Sequence, residues 1–188
     1  MRIQDLREQE QEEKDPFEDL GQFIAYHVDI RTATAAKHFC EDKSIPNPVD
    51  SDEMHVSLIC STKRDPKYVQ KGVLKEPFIA KNFNLEVWKT QDNTKALVAT
   101  FESDELQKVY NEYLDEYNFE PVYDELKPHF TISYDIQDAE LGDEKNLTLE
   151  FNEYIPFAFL IEEYAEPLDQ EWLKKLRRKK KGKKNEDK

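Results

Sequence analysis

Two tripeptides in this chain pair a histidine with a hydroxyl residue: His55-Val56-Ser57, continued by Leu58 and Ile59, and His129-Phe130-Thr131, continued by Ile132 and Ser133. Alternate side chains of a β-strand share a face, so each histidine and its hydroxyl point one way while Val56, Leu58, Phe130 and Ile132 point the other. The chain has four histidines, and Ser and Thr together fill 14 of its 188 positions. A hydroxyl two places after a given histidine is then about a 7% event, and two such among four about 3%, before the matching apolar context is counted. The plain alternative is two core strands that each carry a satisfied histidine.

An imidazole titrates near neutrality, so two of them across a cleft can serve together as general base and general acid. One takes a proton from an attacking oxygen while the other gives one to the leaving oxygen. Ser57 and Thr131 can donate hydrogen bonds to non-bridging phosphoryl oxygens and hold the phosphate as the bond breaks. That recipe needs no metal and no other cofactor. Neither HExxH nor clustered Cys/His spacing is present, which leaves His55 and His129 without a zinc signature. With four glycines and no P-loop or dinucleotide fingerprint, nucleoside triphosphate hydrolysis is disfavoured. His27 and His38 are followed two places on by Asp29 and Cys40 and read as structural or surface residues.

The elements that position these residues are predicted in order as follows. A strand over 21–30 leads to a helix over 33–42, with Thr32 or Thr34 as cap, and then to the first histidine strand over 54–61. A loop over 62–77 precedes a hairpin of 78–89 with 95–102 around Gln91, Asp92 and Asn93. Ser103 caps a helix over 105–118 whose Leu106, Val109, Tyr110, Tyr113, Leu114 and Tyr117 recur at helical spacing. After Pro128 come the second histidine strand, with Tyr134 read as core, a loop at Gly142, a strand near 147–151 and a last strand over 157–164. Each histidine strand follows a helix through a proline-containing connection. The class expected is therefore α+β: antiparallel sheets from two similar halves that frame a central cleft, with helices outside.

The composition allows one domain, since 38% apolar residues with 11 Phe and 9 Tyr can fill a core. Three segments are expected: an acidic extension over 1–20, a catalytic domain over 21–172 and a basic tail over 173–188. Ten Lys or Arg against two acids give that tail +8, so the other 172 residues, with 17 bases and 39 acids, carry −22. Such a body repels duplex nucleic acid at long range and suits a small ligand whose phosphates are neutralised locally. The tail reads as a solvated segment and is given no chemistry. No apolar run approaches the roughly 18 residues of a membrane span, Cys40 and Cys60 form no CxxC pair, and the acidic start is unlike a secretion signal, so a reducing, cytoplasmic setting is expected.

The paired H-x-[ST]-hydrophobic motifs, 74 residues apart, resemble those of the 2H phosphoesterases. Flanking stretches are similar to a phage branch of that superfamily, the anti-CBASS phosphodiesterases. They are Gly21-Gln22-Phe23-Ile24, Arg31-Thr32, Asn47-Pro48, the segment from Lys127 to Asp135, and the segment from Glu163 to Asp169. The resemblance implies a two-lobed fold and a metal-independent enzyme that degrades cyclic di- and trinucleotide alarm signals in the cytoplasm of an infected bacterium. It also implies that His55 and His129 are the acid/base pair, that Ser57 and Thr131 hold the scissile phosphate, and that the neighbouring ribose 2'-OH is the nucleophile. Ser57 departs from the more usual Thr and loses a methyl that stiffens the rotamer, which tunes rate without abolishing it. Phe23 and Trp88 are candidates to stack bases, against a core role for each, and Glu163 to accept a hydrogen bond from an exocyclic amine, against a solvated carboxylate on the strand face. Two alternatives stay open: an RNA 2',3'-cyclic phosphodiesterase or 2'-5' RNA-processing enzyme, and a non-catalytic nucleotide sponge.

Overall fold

The computed structural model describes residues 20–90 and 92–168. The basic tail, Gln91 and all but the last residue of the acidic extension lie outside the described residues. β1 (Gly21–Val28) leads into α1 (Ile30–Asp42), which is capped by Asp29: its carboxylate accepts the Arg31 amide at 3.0 Å. Helix α1 therefore starts before Thr32 and Thr34, which lie inside it. After β2 (His55–Ser61), the stretch expected as one strand over 78–89 is two, β3 (Gly72–Lys81) and β4 (Asn84–Lys89). They are joined at Asn82, whose φ of +57° is one that asparagine tolerates. β5 (Lys95–Thr100) precedes α2 (Asp104–Glu116), where the Ser103 hydroxyl accepts the Leu106 amide as expected.

β6 (His129–Ser133) is followed by α3 (Glu144–Tyr154), where a strand was expected near 147–151. Leu147, Leu149 and Phe151 alternate as on a strand, but Asp143 caps a helix by accepting the Lys145 amide. Leu147 and Phe151, one turn apart, are then buried while Leu149 is 56% exposed. β7 (Phe157–Leu168) closes the chain described. Tyr134 follows the end of β6 and is exposed, not core, because the strand alternation that pointed it inward has stopped.

All seven strands form one antiparallel sheet in the order β3-β7-β1-β2-β6-β5-β4. The class is α+β, and the two halves share this sheet. Their seam is β2 against β6, held by the single residue pair Val56↔Phe130, both fully buried. Helices α1 and α3 cover the seam's apolar side. Phe39 meets Phe151 at 5.1 Å, and Phe83 meets Phe130 and Phe151 at 5.5 and 5.6 Å, in edge-to-face contacts.

Glu163 of β7 is fully buried, which corrects both expectations for it, the solvated carboxylate and the base contact. It accepts hydrogen bonds from Tyr26 at 2.8 Å, Tyr68 at 2.7 Å, the Lys71 amide at 3.0 Å, and Tyr113. One carboxylate thus ties β1, α2 and the segment before β3 to β7. Its donors supply the hydrogen bonds that water would, so the carboxyl group is tolerated in the core. Glu163→Ala, which strands three hydroxyls, is expected to lower the free energy of urea unfolding by about 3 kcal/mol or more. Tyr68→Phe, which removes one donor, should cost about 1 kcal/mol; equal small losses in both would show that the carboxylate does not organise the cluster.

Candidate active site

His55 opens β2 and His129 opens β6, so both rings stand at strand mouths on either side of the seam. Antiparallel pairing at Val56↔Phe130 sets each histidine across from the other motif's hydroxyl, His55 toward Thr131 and Ser57 toward His129. The two rings are held alike. His55 Nδ1 bonds the Glu53 carbonyl and His129 Nδ1 bonds the Lys127 carbonyl, each at 2.7 Å. A carbonyl only accepts, so Nδ1 carries the proton in both rings and Nε2 is left as the free basic nitrogen.

Burial pushes both imidazoles below their ordinary pKa of 6.5, against the pull of those backbone bonds. His27 lowers His55 further, and His55 lowers His129. Both rings therefore favour the neutral form at pH 7 in the free protein. His27 is not a remote residue: it pairs with His55 across β1 and β2 and stacks on Tyr164 at 4.2 Å.

A cavity of about 670 Å³, within the size range of small-ligand sites, opens over the sheet where the two rings stand. Its wall includes His55, Ser57, His129, Phe23 and Trp88, so five of the residues singled out in the sequence meet at one place. Thr131 is half-buried and is not part of the wall, and Glu163 lies in the core. Phe23 packs edge-on to His55 at 5.6 Å, and Trp88 lies over His129 at 4.4 Å. Both aromatics are half-buried and line the cavity beside the histidines.

Sequence reasoning missed Tyr164, Lys127 and Glu166, which also line the cavity. Tyr164 stands 5.9 Å from His55 and 6.0 Å from Phe23, edge-on to both. A bulge at the β1–β7 pairing, between His27↔Glu162 and Val28↔Leu160, shifts the alternation of β7, so that residues 164 and 166 face the cavity and residue 163 faces the core. The β2 register has a second bulge, which skips Leu58 and turns both Leu58 and Cys60 to the cavity. Burial pushes the Cys60 thiol up to about 12, so it is no thiolate nucleophile at neutral pH. Among the described residues, no group of three or more His, Cys, Asp or Glu could hold a metal ion, and no helix is long and apolar enough to cross a membrane.

The chain is thus an α+β protein whose one antiparallel sheet brings both motif histidines and Ser57 to a ligand-sized cavity. The family model described as "Anti-CBASS protein Acb1" matches residues 20–175, and the chain belongs to that family. Proteins of the same name are similar along most of their length. That of Enterobacteria phage T4 is 29% identical over 157 residues, 84% of this chain and 94% of the relative. Those of Vibrio phage KVP40 and Escherichia phage RB16 are 26% and 29% identical, covering 83% and 82% of this chain and 93% and 84% of the relatives.

Proposed function

We propose that this chain is a metal-independent phosphodiesterase that opens 3'-5' linkages of cyclic di- or trinucleotide immune signals, and so acts as a phage counter-defence protein in the host bacterial cytoplasm. The observation that carries this is the matched pair of imidazoles, both pinned through Nδ1 and both lining one cavity. Membership in the anti-CBASS family supports the signal-degrading role. One Nε2 takes the proton of the ribose 2'-OH as that oxygen attacks phosphorus. The other ring, as imidazolium, protonates the departing 5'-oxygen, which leaves a 2',3'-cyclic phosphate on a linearised product. Ser57 in the cavity wall, with Thr131 opposite His55 in the strand register, donates to the non-bridging oxygens, and Phe23 and Trp88 offer faces to two bases. Residues 21–172 are proposed to suffice for this activity.

The test is incubation of the purified protein, in excess EDTA, with a panel of cyclic di- and trinucleotides and a 2',3'-cyclic-phosphate RNA. Cleavage of the cyclic nucleotides that survives EDTA supports the proposal. Cleavage of the RNA end alone would keep the mechanism and replace the substrate; binding without cleavage would make the protein a sponge.

The lowered imidazoles also set a pH dependence. Acid/base work needs one ring charged and one neutral, and that form is most abundant between the two pKa values, both below 6.5 in the free protein. kcat/KM is therefore expected to peak below pH 6.5 and to fall about tenfold per pH unit on the alkaline side. Bound phosphate favours imidazolium, so the alkaline limb of kcat should lie at higher pH than that of kcat/KM. A kcat/KM that rises from pH 6 to 8 would exclude a pair with these pKa directions.

A further inference from the structure

His129 is held by two neighbours, and one carboxylate holds both of them. The ring packs on Trp88 of β4 at 4.4 Å, and its Nδ1–H bonds the Lys127 carbonyl at 2.7 Å. Glu86, also on β4, accepts Trp88 Nε1–H at 2.7 Å and Lys127 Nζ at 2.8 Å on one oxygen. Its other oxygen accepts Thr100 Oγ1 at 2.9 Å, and Thr100 lies directly opposite His129 in the β5–β6 register. Lys127 Nζ stands over the Trp88 ring at 4.7 Å, so the two neighbours also hold each other. His55 is walled instead by Phe23 and Tyr164, which makes it an internal control.

We propose that Glu86 is a positioning residue that fixes the ring of His129 by clamping Trp88 and Lys127 to β5. This rests on the two-histidine reading above and assigns Glu86 no contact with reacting atoms. The carboxylate is suited to the task, because the Lys127 ammonium and the Trp88 and Thr100 donors hold it down at about 2 against partial burial. It stays charged at any working pH. Trp88 and Lys127 otherwise turn about several bonds, and a displacement of about 1 Å at a reacting group costs on the order of 10²-fold in rate. The titratable groups that face His129 are Lys127 from its own segment, Glu86 from β4 and His55 from β2. Without Glu86, the repulsion from Lys127 is unopposed, and His129 should bind its proton more weakly.

Full-length Glu86→Ala and Glu86→Gln are the variants to compare with wild type. NMR titration would follow both imidazoles and the His129 Nδ1–H resonance, and kcat and KM would be measured on a cleaved cyclic nucleotide. In Glu86→Ala, kcat is expected to fall about 10- to 100-fold with KM within about threefold. The His129 midpoint should move to lower pH and its Nδ1–H signal broaden, with His55 unmoved. Glu86→Gln keeps an acceptor for Trp88 and should recover part of kcat and the Nδ1–H signal, but not the titration midpoint. The proposal is overturned if His129 titrates and exchanges in Glu86→Ala as in wild type, or if both histidines move together as general loosening would require. Should Glu86→Ala fail to fold, the His129 midpoint in Glu86→Gln decides, and an unmoved midpoint overturns the role. A wild type that cuts nothing would end the proposed function, while the NMR comparison would still judge Glu86.

Discussion

His55→Ala and His129→Ala should each lower kcat on a cleaved cyclic nucleotide by about 10³-fold, within the range that a positioned acid or base contributes. The double variant should be little worse than either single one, because the two rings act in one concerted proton transfer and the first loss already disables it. The fold should survive: both histidines sit half-buried at strand openings, while the residues that hold the seam, Val56 and Phe130, are untouched and fully buried. Thermal unfolding and nucleotide binding then serve as controls, since Phe23, Trp88 and Tyr164 still line the cavity. Each single variant should also lose one limb of the kcat/KM profile. Retention of more than a tenth of wild-type kcat in either variant would remove that ring from the chemistry.

The second large effect is expected from the substrate. A cyclic nucleotide with 2'-deoxyribose at the scissile linkage lacks the internal nucleophile, whose effective molarity in well-aligned systems is on the order of 10⁵ to 10⁸ M. Ring opening should then fall by about 10⁵-fold or more, below detection in an assay that turns over the ribose substrate readily. The deoxy ring should still bind, because the cavity is largely apolar and aromatic and the loss of the 2'-OH removes only its one contact with a histidine Nε2, so it should act as a competitive inhibitor. Cleavage of the deoxy ring within 100-fold of the ribose rate would mean that the site activates a water instead, with the same two imidazoles in different service.

How much of this was legible in the sequence depends on how local each cause is. The two histidine strands are readable because period-2 alternation decides which way His55, Ser57, His129 and Thr131 point, and that pattern holds across each tripeptide without help from the rest of the chain, before the bulges that follow Ser57 and Thr131. Helix α2 is readable for the same reason, with Ser103 as cap and apolar residues at helical spacing. Helix α3 is not: the same three apolar residues fit a strand and a helix, and the choice falls to the Asp143 cap and to burial of Phe151 against Phe39 and Phe83. Glu163 was singled out where Tyr164 belongs, because a bulge is created by pairing with another strand and leaves no mark in β7 alone.

The sequence by itself determined the paired motifs, the α+β class and the chain's net negative charge. Only the tertiary structure decided that the two halves share one sheet through Val56↔Phe130, that Trp88 and Phe23 stand beside the histidines, and that Glu86 ties the surroundings of His129 together. The division is physical. Side-chain type and alternation are local properties, whereas register, bulges and the convergence of donors on one carboxylate exist only once strands distant in sequence have been paired.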